Sequence, residues 1–181
     1  MDNRRLVTVS KFLSKHLRHD PAGLGLTLDA GGWVLVEDLL AGCARANFRL
    51  SWAELNEVVE KNDKQRFGFD DTGERIRANQ GHSTPVDLQL EPRTPPDVLY
   101  HGTAGHVVDE LLKLGVKRVS RHHVHLSTNV ETAKTVGKRH GKPVILRVDA
   151  AAMSRDGLPF YCSDNGVWLV DEVPPQYLSL V

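Results

Sequence analysis

The sequence predicts an α+β protein of two lobes. Three observations predict it. Apolar residues recur at helical spacing through the first sixty or so positions and then give way to a hairpin pattern. A proline-rich polar stretch, NQGHSTPVDLQLEPRTPPD, interrupts the chain at residues 79–97. Beyond it, short strand-like runs dominate and the helical segments are brief. The expected division is a lobe at 1–80, a linker at 81–96 and a second lobe at 97–181.

In the first lobe, Leu6, Val9, Phe12, Leu13, His16 and Leu17 fall three and four apart, which predicts an amphipathic helix over 6–19. Asp20-Pro21 followed by Gly23 stops it, because proline biases its predecessor away from helix. Arg18 and His19 then sit at the helix's C-terminal end, where the helix dipole favours cations. A turn at Gly31-Gly32 leads to a short strand and to a helix from about Val36. Ser51 and Glu54 have capping-box spacing, so a third helix is expected from Trp52 to about Asn62. Alternation in Arg66-Phe67-Gly68-Phe69, a turn at Asp71-Thr72-Gly73 and then Arg75-Ile76-Arg77 predict a β-hairpin. Helix, strand, helix, helix, hairpin is the order of a winged helix-turn-helix. That fold often handles nucleic acid but does not by itself fix a function.

The second lobe opens with a strand at Val98–His101. Gly102-Thr103 reads as a turn into a helix holding Val107, Val108, Leu111 and Leu112, ended by Gly115. His123–Ser127 reads as a strand. Thr128 and Glu131 have capping-box spacing before a helix that ends near Arg139–Gly141. Pro143–Val148 is a strong apolar strand, and Phe160-Tyr161, Val167–Val170 and Tyr177–Leu180 read as three more.

Bulk properties narrow the function classes. Of 181 residues, 40% are hydrophobic and 25% charged, which is globular composition. No apolar run approaches the ~20 residues of a membrane helix, and the N-terminus has no signal-peptide core. Cys43 and Cys162 are far apart, so neither a disulfide framework nor a thiolate zinc site is expected, and the cytoplasm is the expected compartment. With 23 basic and 23 acidic residues the chain is neutral. The basic residues nevertheless cluster in KHLRH, KRVSRHHVH and GKRHG, which fits selective binding of a small anionic target better than a broad sheet for long duplexes.

The candidate chemistry lies in these clusters. His123 and His125 share one face of their strand and admit three readings: packed strand histidines, metal ligands, or partners of a ribose hydroxyl. No third ligand stands at familiar spacing, so no metal is expected. Neither a dinucleotide glycine fingerprint nor a Walker A sequence is present. There is no G-x-S-x-G elbow, and neither cysteine has a neighbouring histidine, so the substrate is expected to bring its own nucleophile. Arg18, Arg66 and Arg139 each flank a secondary-structure element, and an arginine's planar fork suits bidentate phosphate binding. Singly, each reads as a surface arginine.

KFLSKHLRHDP, RFGF, IRANQGHS, LYHGT, HVHLS and GKRHG occur in one order across nearly the whole chain. Together they resemble the RNA 2′-phosphotransferase family, an NAD-consuming branch of the ADP-ribosyltransferase superfamily. The resemblance implies a winged-helix RNA-binding lobe followed by an ADP-ribosyltransferase-type lobe of mixed β structure with short helices. It implies a catalytic tetrad of Arg18, His19, Arg66 and Arg139. It implies an NAD site at His101, Gly102 and Thr103 of YHGT, His125 and Ser127 of HVHLS, and Val167, where many ADP-ribosyltransferases carry a glutamate. The implied reaction has two steps. An internal RNA 2′-phosphate attacks the nicotinamide ribose of NAD, giving 2′-phospho-ADP-ribosylated RNA, and transesterification then releases ADP-ribose 1″,2″-cyclic phosphate. NAD is consumed as co-substrate, no metal or membrane is involved, and a monomer is expected. Two other readings are carried forward: ADP-ribosylation of terminal phosphates on 5′-phosphorylated RNA or DNA, and a winged-helix nucleic-acid-binding protein without catalysis.

Overall fold

The computed structural model describes residues 1–181 and shows a mixed α/β protein with six α-helices and several small antiparallel sheets. It divides into two compact units, Met1–Gln89 and Leu90–Val181. No helix is long and apolar enough to cross a membrane.

In the first unit, α1 spans Asn3–Arg18. It begins before the apolar periodicity does, because Asp2 caps it by accepting the Arg5 N–H at 2.7 Å. The short strand β1 (Val34–Leu35) leads directly into α2 (Val36–Arg45). The capping box forms as the spacing predicts: Ser51 and Glu54 exchange side-chain and backbone bonds at 3.1 Å in both directions and start α3 (Trp52–Lys61). The hairpin pairs β2 (Phe67–Phe69) with β3 (Arg75–Ala78), and β1 adds on the other side of β3 to give the order β1-β3-β2. Val9, Leu13 and Leu17 of α1 meet Leu39, Leu55, Val58 and Ile76 in one buried core.

The second unit is built on β4 (Val98–Ala104), paired along its length with β7 (Pro143–Asp149), which carries β11 (Leu178–Leu180) on its far edge. A second sheet has the order β6 (Val124–Leu126), β9 (Trp168–Val170), β8 (Tyr161–Cys162). A bridge between Tyr100 and Ser127 links β4 to this sheet, with N–H to carbonyl bonds of 2.9 and 2.8 Å. Leu99, Leu126, Leu146, Val148, Met153, Phe160 and Trp168 form its core.

Three features of this unit depart from the sequence reading. Gly102 and Thr103 do not turn; they continue β4 opposite Ile145 and Val144, and the helical segment starts only at Gly105 and becomes α4 at Val108–Leu114. The glycine serves packing and not a turn: a Cβ at Gly102 would lie 1.8 Å from the Ala133 carbonyl oxygen of α5 (Val130–Gly137). Nor is α5 opened by Thr128. Asn129 is its cap and accepts the Thr132 N–H at 2.8 Å. Finally, α6 (Ala150–Arg155) and the pair β5 (Val116–Lys117) with β10 (Glu172–Val173) have no counterpart in the sequence reading. Runs of six and two residues are too short to show a period.

Candidate active site

In the first unit Arg18 and His19 lie at the C-terminal end of α1. His19 is the C-cap, and its N–H bonds the Lys15 carbonyl at 2.9 Å. The segment after β3 folds back over this end: the Ser83 and Thr84 N–H groups donate to the Arg18 carbonyl at 2.9 and 3.3 Å. They thereby satisfy a helix-end acceptor. Gly81 makes the return possible with φ of 89°, and any Cβ there would rest on the Arg18 side chain at 3.5 Å. His19 keeps an exposed ring whose Nδ1 lies 2.8 Å from Ser83 Oγ, while Arg18 is buried.

Arg66 immediately precedes β2 and is half-buried. Its Nη1 donates to Asn62 Oδ1 at 3.2 Å. Asn62 is itself buried and gives its Nδ2 to Ser10 Oγ of α1 at 3.0 Å. A chain of hydrogen bonds thus fixes Arg66 relative to α1. Asn62 went unread in the sequence, where it looked like an ordinary helix end. Asn62→Ala should lower stability by ~1–3 kcal/mol, as expected for a buried hydrogen-bonded polar group, and should loosen Arg66. Chemical denaturation checks the first effect. A rise in KM for a phosphorylated RNA beyond what the stability loss explains checks the second.

In the second unit the candidates on β4 and β6 are brought together. His101 Nδ1 lies 3.2 Å from the His125 carbonyl. A carbonyl only accepts, so Nδ1 carries the hydrogen and Nε2 is left as an acceptor. Burial pushes the His101 imidazole pKa below its ordinary value, the bond to His125 opposes this, and the neighbouring His140 adds to the lowering. His125 Nδ1 lies 3.2 Å from Arg121 Nη1. A guanidinium only donates, so this Nδ1 accepts and the hydrogen resides on Nε2. The His101 imidazole therefore presents an acceptor at Nε2. Continuing the β6–β9 register one step past Leu126 and Trp168 sets Ser127 opposite Val167. Val167 is half-buried and is held by Ser163, whose Oγ accepts its N–H at 3.1 Å. Thr103 and Gly102 are buried, with Gly102 lying under α5.

Arg139 is exposed, in the 3₁₀ turn Lys138–His140 that follows α5. Its charge reaches Arg121. That guanidinium is held below the ordinary arginine value first by loss of surrounding solvent and then by Arg139, although the residue keeps an exposed outer surface. Two cations within each other's field, beside two histidines, favour an anion among them. Arg121 was visible in KRVSRHHVH only as one charge in a cluster. Alternation along the strand singled out its histidines, while the arginine precedes the strand.

A family model described as RNA 2′-phosphotransferase, Tpt1 / KptA family, matches residues 4–172. The chain belongs to this family. The resemblance read from six ordered motifs is thereby borne out. A protein of Trichormus variabilis named "Probable RNA 2′-phosphotransferase" is 60% identical over 181 residues, covering all of both chains. Proteins of the same name from Nostoc punctiforme and Herpetosiphon aurantiacus are each 58% identical, over 100% and 99% of both chains respectively. The family match includes both groups of side chains described above.

Proposed function

We propose that this member of the RNA 2′-phosphotransferase family removes an internal 2′-phosphate from RNA by transferring it to NAD. The first unit acts as a winged-helix RNA-binding lobe and the second as an ADP-ribosyltransferase-type lobe that binds NAD. The observation that carries the reading is the division of chemistry between the units. One holds an arginine and histidine set suited to a phosphate. The other holds a histidine pair, with the His101 ring held neutral by burial, flanked by cations.

The second set suits the dinucleotide. The His101 acceptor matches a sugar hydroxyl, with His125 beside it, and Arg121, Arg139 and His140 suit a pyrophosphate. Bound NAD supplies an electrophilic ribose carbon with nicotinamide as leaving group. Ser127 and Val167 would border this site, and Gly102 and Thr103 would support it from within β4. Arg18 and Arg66 orient the phosphate and spread its charge as a bond to phosphorus breaks. His19 binds the phosphate through its exposed ring, with proton transfer to the departing 2′-oxygen as its second role. The site needs no protein nucleophile, since the phosphate is already anionic.

One pH prediction follows for His101. Its lowered pKa keeps the ring neutral in the folded chain as pH falls through the ordinary value of about 6.5, where the unfolded chain takes up a proton. Its contribution to stability is therefore present above that value and is lost as pH falls toward the lower folded value. Binding of NAD by the neutral ring should follow the same direction. The acid limb that His101 contributes to kcat/KM for NAD is expected below about pH 6.5. A limb above that value that disappears in His101→Asn would contradict the assignment.

The function is tested by incubating the protein with NAD and an oligonucleotide carrying an internal 2′-phosphate, following RNA and nicotinamide together. Removal of the phosphate with nicotinamide release is expected. An intact phosphate would sink the reading. Stable ADP-ribosylation of a 5′-phosphorylated oligonucleotide in its place would transfer the assignment to terminal-phosphate modification.

A further inference from the structure

We propose that the solvent-facing stripe of α1 is a track for the backbone of single-stranded RNA leading to the Arg18-His19 end; the choice of RNA as occupant rests on the function proposed above. The helix from Asn3 to Arg18 contains no aspartate or glutamate, in a chain whose total charge is zero. Arg4, Lys11 and Lys15 are all exposed. At 100° per residue these three positions and Arg18 fall within an arc of about 60°, so they form one row and not a scatter. Thr8, also exposed, lies beside the row and turns its hydroxyl back to the Arg4 carbonyl at 2.9 Å.

What separates this row from an ordinary solvated face is the pairing of the other cations nearby. Arg5, which lies off the row, is tied to Glu54 at 3.1 Å, the N-terminal ammonium to Glu57 at 3.1 Å, and Lys61 to Glu57 at 2.7 Å. Arg4, Lys11 and Lys15 have no carboxylate partner. Acids lie at the two ends of α1, Asp2 as its N-cap and Asp20 just after His19. The surface of α3, the helix that would read a duplex groove in many winged-helix proteins, presents Glu57 and Glu60. The acids of α3 are largely taken up by these pairs, whereas the cations of the α1 row are not, so the row attracts a phosphate backbone.

The dimensions fit a strand. Lys11 and Lys15 are ~6 Å apart along the axis and Arg4 lies ~10 Å beyond Lys11, at 1.5 Å rise per residue. The shorter spacing is close to that between neighbouring phosphates of an extended single strand. At the far end the row runs toward His19, the exposed C-cap of α1.

The test compares wild type, Lys11→Ala/Lys15→Ala and a control of equal charge loss, Lys113→Ala/Arg155→Ala, whose residues are exposed in the second unit. Affinity is measured without NAD on a 2′-phosphorylated oligonucleotide long enough to span α1 and on a trinucleotide. Circular dichroism verifies that each variant is folded. Wild type should bind the long strand more tightly than the short one, and the α1 variant should lose that advantage. Its salt slope on the long strand should fall by about 1.4, two phosphate contacts at ~0.7 each, so the wild-type advantage shrinks about sevenfold between roughly 50 and 200 mM salt. An unchanged slope, or an equal loss in the control, would overturn the proposal. Because binding is read without turnover, failure of the proposed reaction would leave this result standing on its own.

Discussion

Arg66→Ala is expected to lower 2′-phosphate removal by about 10²- to 10³-fold, the usual cost of deleting one positioned donor from a developing anion. The fold should survive. Arg66 donates to Asn62 Oδ1, but that oxygen also accepts the Lys64 N–H at 3.1 Å and keeps this donor when the guanidinium is lost. The stability cost should therefore stay within ~1 kcal/mol. Arg66→Lys separates charge from geometry, since an ammonium restores the charge but not the two-pronged fork. It should recover only a small part of the lost rate. Single-turnover kinetics with thermal unfolding in parallel checks both statements. Wild-type turnover in Arg66→Ala would remove this residue from the site.

Gly102→Ala should have the largest effect on stability. The new methyl would lie 1.8 Å from the Ala133 carbonyl oxygen, 2.7 Å from the Ala133 carbonyl carbon and 3.0 Å from the Gly137 nitrogen. All three are backbone atoms of one helix, so no side chain can rotate away; α5 must lift off β4. The cost should reach or exceed the ~3 kcal/mol upper end of ordinary overpacking, with a fall in Tm on the order of 10 °C. NAD-dependent activity should fall with it, since β4 carries His101 and α5 runs into the turn bearing Arg139. Gly137→Ala is the milder companion, with its nearest contact at 2.9 Å from the Thr103 carbonyl oxygen. An unchanged Tm in Gly102→Ala would show that α5 is not held against β4 as described.

The same glycine marks what was legible in the sequence. Local chemistry read correctly where the structure is set locally: Ser51 with Glu54 announced α3, and alternation around Asp71-Thr72-Gly73 announced the β2–β3 hairpin. Gly102 was read as a turn because glycine permits one. Its actual cause is a helix about thirty residues later in the chain, and no local pattern encodes that approach. Thr128 lost to Asn129 for a similar reason, since both are competent caps and only the path of the chain chooses between them.

In the candidate site, residue types were legible and relations were not. His101 and His125 stood out by motif, but the bond from one ring to the other's carbonyl, which fixes a tautomer, is a contact across 24 positions. Arg121 and Asn62 act through neighbours: one reaches His125, and the other holds Arg66 against α1. Neither residue carries a local signature of that work.

The central claim is that the phosphate leaves RNA by transfer to NAD. It is tested most directly by placing a radioactive label in the 2′-phosphate and following it through a reaction with unlabelled NAD. The label should move from RNA into a small ADP-ribose-containing product, with one nicotinamide released for each phosphate removed and none in the absence of RNA phosphate. Label recovered as inorganic phosphate, or phosphate removal that proceeds without NAD, would contradict the account.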